Sequence, residues 1–207
     1  MINRFMKIKL YQDDLPNNLN LGLTIAIDTE TMGLNPIRDK LCLVQISKGN
    51  NISHLVKIND IKKKPKNLIK ILKNNKIKKI FHFARFDVAV LKHSYGINLK
   101  NIYCTKIASK IIRTYTDKHG YKDLCSELLN ISISKTEQTS DWGGELSKAQ
   151  MKYAATDVLY LHKIKKKLDI MLSREKRIDL AEACFKFIEY RTDLDLGGWS
   201  DLDIFRH

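Results

Sequence analysis

The chain has 207 residues and a formal net charge of +14, with 43% hydrophobic and 29% charged residues. These values suit one globular domain with a full core, and three prolines and nine glycines leave no room for a long disordered linker. No run of about 18 apolar residues could span a bilayer, and the N-terminal segment lacks the apolar region of a signal peptide. The sequence therefore predicts a single cytoplasmic domain over residues 1–207, with no membrane partner. Wide spacing of the cysteines argues against a disulfide framework or a zinc site.

The excess of basic residues favours an anionic partner, because Lys and Arg that neutralise phosphates release condensed counterions and so strengthen binding. Only eight of the 37 basic residues are Arg, however, and the abundance of Lys, Ile and Asn is also what an AT-rich genome would produce. Both explanations of the charge stay open.

The first part of the chain predicts a three-stranded antiparallel sheet. Three short apolar runs are separated by polar segments, and the tetrapeptide at 48–51 is typical of a hairpin turn. The predicted strands are residues 23–28, 41–47 and 51–58.

After Pro65 the pattern changes to alternating strands and helices. Strands are predicted at 76–83 and 102–105, and helices at 67–74, 84–95, 106–115, 123–129 and 174–191. A polar loop at 134–145 precedes the longest predicted helix, which begins with a capping box at Ser147 and Gln150 and runs to about residue 172. Together these elements predict an α/β fold with one mixed five-stranded sheet flanked by helices.

Two acidic residues follow the first apolar run. Asp28 and Glu30 are two residues apart, so on a continued strand both side chains project from the same face. A carboxylate at the end of a buried strand costs desolvation free energy, and a divalent cation compensates this cost well. Because D-x-E is a common motif, a simple cap of the strand end is the alternative for this pair taken alone.

Three further residues fall where such a sheet would bring them together. Asp87 lies in the first turn of a predicted helix, where it could simply complement the helix dipole. Tyr153 and Asp157 share one face of the longest helix, where an ordinary core-margin Tyr and a solvated Asp are the alternative. Converging carboxylates would repel one another, so the set as a whole indicates a cage for hard cations such as Mg²⁺ or Mn²⁺.

Three motifs resemble those of the DEDDy group of 3′-to-5′ exonucleases: DTET (28–31), HFARFD (82–87) and YAATD (153–157). The motif QTSDWG (138–143) is similar to the ribonuclease D branch of that group. Longer segments extend the resemblance over nearly the whole chain to the nano-RNase C family, among them KIFHFARFDVAVL, YCTKIASK and LDLGGWSDLDIF.

The resemblance implies a ribonuclease H-like fold, two Mg²⁺ or Mn²⁺ ions per active site, and release of nucleoside 5′-monophosphates from RNA 3′ ends. Asp28 is expected to bridge the two ions, Tyr153 to position the attacking water, and Leu34 to wedge between the terminal bases. The implied catalytic residues are Asp28, Glu30, Asp87, Tyr153 and Asp157, and the four acids among them are the implied metal ligands.

The same family implies a substrate and an assembly. Its members prefer dinucleotides and form ring-shaped homo-octamers, so we expect an octamer that degrades 5′-phosphorylated diribonucleotides from RNA decay and cyclic dinucleotide turnover. A length limit needs a cap on the 5′ phosphate, for which the candidates are Lys106, Arg113 and His119. Arg113 is the first choice because guanidinium binds phosphate in a bidentate manner, although an ordinary solvated helix face would also explain each residue.

Three alternatives stay open. The first is a ribonuclease D-like enzyme that trims longer RNA or tRNA 3′ ends, although ribonuclease D usually carries C-terminal helical domains and this chain ends at His207. The second is a proofreading-type DNA exonuclease, because no feature of the sequence can be assigned to reading a 2′-hydroxyl. The third is a non-catalytic nucleic-acid-binding module, which would have no need for acids near phosphates.

Overall fold

The computed structural model describes residues 6–133 and 140–207 and contains a mixed six-stranded sheet. In chain order the strands are β1 (Lys7–Gln12), β2 (Thr24–Thr31), β3 (Leu41–Ser47), β4 (Ile52–Lys57), β5 (Lys78–Phe81) and β6 (Ile102–Cys104). Across the sheet they lie in the order β1-β4-β3-β2-β5-β6. The pairs β2–β3 and β3–β4 are antiparallel, as predicted, and the other neighbours are parallel.

The sheet has one strand more than the five predicted, because the pattern of β1 was not recognised. This strand lies at the edge of the sheet, pairs in parallel with β4, and has no fully buried residue. An edge strand of this kind carries a weak hydrophobic signal, and its pairing partner lies much later in the chain. The predicted fold class, a mixed α/β sheet flanked by helices, is confirmed.

Seven α-helices lie within the described residues: α1 (Lys66–Lys73), α2 (Ala84–Tyr95), α3 (Thr105–Ile112), α4 (Tyr121–Leu129), α5 (Lys148–Leu159), α6 (Leu161–Arg174) and α7 (Ile178–Leu194). The predicted capping box starts α5, since Ser147 accepts a hydrogen bond from the Gln150 amide and the Gln150 side chain accepts one from the Ser147 amide. After α7 the chain forms a π-helical turn at Asp195–Trp199.

The prediction of one continuous helix to about residue 172 is wrong, because the chain breaks at Tyr160 into α5 and α6. The hydroxyl of Tyr121 donates to the carbonyl oxygen of Thr156 at 2.6 Å and accepts from the amide of Tyr160 at 3.3 Å. A distant side chain therefore satisfies backbone groups at the interruption. The apolar spacing continues across the break, so the sequence pattern does not reveal it.

The two faces of the sheet carry different cores. The larger core packs the sheet against α2 and α6 and includes Val44 and Val56. On the opposite face, a smaller cluster joins Leu43 and Leu55 to Trp142 and to two alanines of α5. Within the described part of the chain, no helix is long and apolar enough to cross a membrane.

Candidate active site

Carboxylates from two elements converge on the α5 face of the sheet. Asp28 and Glu30 alternate with Thr29 on β2, so their side chains project from one face. The helix α5 packs on this strand and supplies Asp157. Ligand oxygens of Asp28, Glu30 and Asp157 all lie within 4.8 Å of one another. Three of the four predicted metal ligands are therefore brought together.

Asp87 lies beside this cluster, in the first turn of α2 and directly after β5. Its Oδ1 accepts a hydrogen bond from the Thr29 hydroxyl at 2.7 Å, and the residue is 3% exposed. The group of three converging oxygens does not include Asp87. The negative charge of Asp28 nevertheless raises the pKa of the Asp87 carboxyl group, so the two carboxylates are close enough to interact electrostatically.

Burial is the main reason why the pKa values of Asp28, Glu30 and Asp87 are raised above the ordinary range. Repulsion from the neighbouring carboxylates adds to the rise for Glu30 and Asp87. In the described residues, no Lys or Arg forms an ion pair with any of these three acids. A crowded set of carboxylates, with Asp87 buried and the others partly exposed, offers only oxygen donors and fits a hard divalent cation such as Mg²⁺ or Mn²⁺.

Tyr153 lies one helical turn before Asp157 on α5 and faces the same cluster. Burial raises the pKa of its phenol, and the negative charges of Asp157 and Glu30 raise it further. The phenol is therefore neutral near pH 7, so it can donate or orient a hydrogen bond but cannot act as a base. Its ring lies 6.1 Å from that of Trp142, centroid to centroid.

A buried lysine that the sequence reasoning missed holds the loop before α5. Lys57, the last residue of β4, donates from its Nζ to the carbonyl oxygens of Trp142 and Gly143. A Cβ on Gly143 would lie 2.8 Å from the sulfur of Met32, so this loop abuts the segment that follows β2. The sequence signal was a lysine that directly follows the apolar pair Leu55 and Val56 at the end of β4. Of the predicted polar loop and the QTSDWG motif, residues 134–139 lie outside the described residues.

Two predicted substrate-binding residues are accessible. Leu34 lies in the loop after β2 and is 88% exposed. Lys106 lies in the first turn of α3, with its ammonium 4.4 Å from the centroid of the Phe83 ring. Phe83 immediately precedes α2, so Lys106 lies at the end of the sheet from which Asp87 is presented.

The prediction that Arg113 caps a 5′ phosphate does not fit the structure. Arg113 is fully buried, and its guanidinium pairs with Glu127 and donates to the Ser109 hydroxyl and the Lys118 carbonyl oxygen. Because these contacts lie within the chain, Arg113 braces α3 against α4 and offers no free fork to a ligand.

His119 is tied to the same group of contacts, since its Nδ1 lies 2.9 Å from the Ser109 hydroxyl oxygen. Burial lowers the pKa of His119, and the charges of Arg113 and Lys110 lower it further. A neutral imidazole is a weak phosphate ligand, so Lys106 is the candidate that the geometry favours.

Residues 10–173 match the family described as 3′-5′ exonuclease. This chain belongs to that family. The three acidic motifs all fall inside the matched range, and the predicted enzyme class is confirmed at the level of the family.

Curated relatives of this exonuclease family differ in their length and in their names. A ribonuclease D of Acidiphilium cryptum is 30% identical over 157 residues, which are 75% of this chain and 39% of that protein. A DNA polymerase I of Aquifex aeolicus is 37% identical over 152 residues, which are 72% of this chain and 24% of that protein. The chain thus spans less than half the length of these relatives.

Solved structures match nearly the whole chain. A structure of Brucella melitensis NrnC bound to pGG is 55% identical, with a TM-score of 0.94 over 98% of this chain and 100% of that chain. A structure of the same protein with bound Mg²⁺ is 54% identical, with a TM-score of 0.93 and the same coverage. The predicted likeness to ribonuclease D and to the nano-RNase C family is confirmed.

Proposed function

We propose that this chain is a two-metal 3′-to-5′ exoribonuclease that releases nucleoside 5′-monophosphates and prefers diribonucleotides. The observation that carries the proposal is the convergence of Asp28, Glu30 and Asp157 within 4.8 Å, with Asp87 held beside them by Thr29. Family membership supports the direction of cleavage, since the matched family is a 3′-5′ exonuclease family.

In this proposal the four acids would hold two Mg²⁺ or Mn²⁺ ions, with Asp28 contributing to both. When bound, such ions stabilise the charge that develops on the attacking and leaving oxygens of a phosphodiester. The neutral hydroxyl of Tyr153 orients the attacking water. Gln45 donates to Glu30 at 3.2 Å and Thr29 donates to Asp87, so both ligands have a second residue that fixes their orientation.

The preference for diribonucleotides rests on the whole-chain likeness to Brucella NrnC, one structure of which is bound to pGG. The exposure of Leu34 supports a role as a wedge between two bases, and the position of Lys106 beside Phe83, at the end of the sheet that presents Asp87, supports a role in binding the 5′ phosphate. We extend the proposal to a cytoplasmic homo-octamer, acting as one domain, that clears the dinucleotides left by RNA decay and by cyclic dinucleotide turnover.

Two other substrates are favoured by particular relatives. Likeness to ribonuclease D supports trimming of longer RNA, and likeness to a DNA polymerase I supports DNA as a substrate. Neither likeness covers half of the relative's own length, whereas the likeness to NrnC covers all of that chain. We therefore place the dinucleotide substrate first.

A length series of 5′-³²P-labelled RNAs tests the proposal. RNAs of two to seven nucleotides and a matched DNA dinucleotide are incubated with Mn²⁺ or Mg²⁺, and kcat/KM is measured for each. The Asp28→Asn variant, purified in parallel, controls for a contaminating nuclease. We expect the RNA dinucleotide to have the highest kcat/KM and EDTA to abolish cleavage. Equal values at all lengths would favour the ribonuclease D-like alternative, and equal cleavage of DNA would remove the preference for RNA.

A further inference from the structure

The C-terminal part of the chain lies beyond the general exonuclease domain. The family match ends at residue 173, whereas α7 and the π-helical turn follow it. Brucella NrnC aligns over 98% of this chain, so its likeness includes most of this added segment. The added segment is thus shared with the relative that resembles the whole chain, which raises the question of what it does for the active site.

An arginine of the second acidic motif reaches into this segment. Arg85 lies two residues before Asp87, and its Nε and one terminal nitrogen donate to both carboxylate oxygens of Asp195, at 2.6 and 2.7 Å. The same terminal nitrogen also donates to the carbonyl oxygen of Ser200 at 2.6 Å. The side chain of Asp195 is only 7% exposed and that of Arg85 is 37% exposed, so this is a bidentate pair whose carboxylate is buried and whose geometry is fixed by two hydrogen bonds.

A second arginine already holds the tail, so Arg85 is not needed for that purpose alone. Arg191 lies 3.0 Å from Asp195 and donates to the carbonyl oxygens of Trp199, Ser200 and Leu202. What Arg85 adds is a connection from the tail to the first turn of α2, because Arg85 belongs to that turn.

Contacts from outside the helix also reach the first turn of α2. Its N-cap residue, Phe83, makes no side-chain capping hydrogen bond, so the usual local restraint is missing. Two contacts fix the turn from opposite sides. Thr29 holds Asp87 from the sheet, and Asp195 holds Arg85 from the C-terminal segment.

We propose that the Arg85–Asp195 pair positions Asp87 for cation binding, which makes the C-terminal segment a working part of the active site. This inference rests on the proposed function, because it takes Asp87 as a metal ligand. Arg85 and Asp195 are positioning residues. Residues that orient a metal ligand typically contribute about 10- to 100-fold to metal affinity or activity, and we expect an effect in that range.

The test is Mn²⁺ binding by isothermal titration calorimetry on the metal-free, full-length protein, together with thermal unfolding and turnover of a 5′-phosphorylated diribonucleotide. Asp195→Asn is the main variant. Asp193→Asn is the matched control, since it removes the ion pair between Lys92 and Asp193, which joins the far end of α2 to the last turn of α7. Arg85→Lys keeps the charge without the bidentate geometry and is used if Asp195→Asn does not fold.

We expect Asp195→Asn and Arg85→Lys to weaken Mn²⁺ binding and lower kcat by about tenfold or more, while Asp193→Asn leaves both unchanged. In an Asp87→Asn background, Asp195→Asn should cause no further loss of Mn²⁺ affinity, because the two changes act through one ligand. Folded variants that bind Mn²⁺ as tightly as the wild type, with only a lower Tm, would overturn the inference. The two proposals can also fail separately. If the wild type cleaves no RNA, the proposed function is refuted; if Asp195→Asn nevertheless binds Mn²⁺ more weakly than the wild type, the positioning role is supported.

Discussion

The hydroxyl of Tyr121 donates a hydrogen bond to the carbonyl oxygen of Thr156, the residue that precedes the proposed ligand Asp157. The hydroxyl oxygen of Tyr121 also accepts a hydrogen bond from the amide of Tyr160, at the break between α5 and α6. One side chain on α4 therefore fixes the turn of α5 that presents Asp157. Its ring also packs near His82, with 5.6 Å between ring centroids.

Replacing this hydroxyl tests its role with little change of shape. We expect Tyr121→Phe to lower the free energy of unfolding by about 1–3 kcal/mol, because two backbone groups lose their partner in a partly buried site. We also expect weaker Mn²⁺ binding, because the last turn of α5 is less constrained. Chemical denaturation and calorimetry measure the two effects. Tyr190→Phe is the control, since Tyr190 is 61% exposed. Unchanged stability in Tyr121→Phe would show that the helix break does not need the hydroxyl.

Features set by local spacing were predictable from the sequence. Asp28 and Glu30 share a face of the sheet because successive side chains of a strand point to opposite faces. Tyr153 and Asp157 share a face of α5 because residues four apart on a helix lie one turn apart on the same side. The capping box at Ser147 is likewise a contact between residues three apart. Such relationships depend on short stretches of chain, and the structure contains all of them.

Features set by contacts between distant segments were not predictable. Helical spacing alone did not reveal that Glu127 on α4 pairs with Arg113 and buries it, so a structural arginine was mistaken for a ligand. The break at Tyr160 depends on Tyr121, and the position of the loop before α5 depends on Lys57. Each of these partners becomes a neighbour only when the sheet and helices have packed.

The raised pKa of Asp28 predicts a pH dependence of stability. In the metal-free protein the pKa of Asp28 is about 7, well above its ordinary value, chiefly because of burial. Between about pH 4 and 7 the folded state therefore binds more protons at this site than the unfolded state does, so its contribution to stability is lost as pH rises. Since Asn does not titrate, the Tm of Asp28→Asn should fall less steeply from pH 5 to pH 8.

Thermal unfolding in EDTA at several pH values measures this difference. Asp117→Asn is the control, because Asp117 is exposed and lies outside the cluster. Mn²⁺ should raise the Tm of the wild type most at high pH, where fewer protons compete for the carboxylates. It should raise the Tm of Asp28→Asn much less, and this variant should lack turnover. Parallel pH profiles for Asp28→Asn and the wild type would contradict the assignment of a raised pKa to Asp28.

Tyr153→Phe separates orientation of the water from substrate binding. Because the phenol is neutral and faces the carboxylates, its removal should lower kcat by about 100-fold, near the lower end for the loss of one positioned hydrogen-bonding group, with little change in KM. Steady-state kinetics on a diribonucleotide gives both constants, and Mn²⁺ binding should be preserved. A variant that changes only KM would place the hydroxyl on the substrate instead of the water.

Leu34 is presented by a braced loop, which makes it suitable for a test of substrate length. Asp39 accepts a hydrogen bond from the Asn35 amide at 2.9 Å and pairs with Arg38. A Cβ on Gly33 would collide with the carboxylate of Asp39, so a larger residue there would displace the side chain that braces the loop. The loop therefore presents Leu34 outward with 88% of its surface exposed, where the side chain is free to contact a substrate.

If Leu34 wedges between two bases, Leu34→Ala should leave the free energy of unfolding within about 0.5 kcal/mol of the wild type, as expected for an exposed residue. Its kcat/KM on a diribonucleotide should fall by up to about 30-fold, since the lost apolar contact is worth about 2 kcal/mol. A pentanucleotide should lose less, so the preference for two nucleotides shrinks. Leu23→Ala is the matched control, a leucine that is 70% exposed just before β2. An equal loss on both RNAs would assign Leu34 to general 3′-end binding and would favour the ribonuclease D-like substrate range.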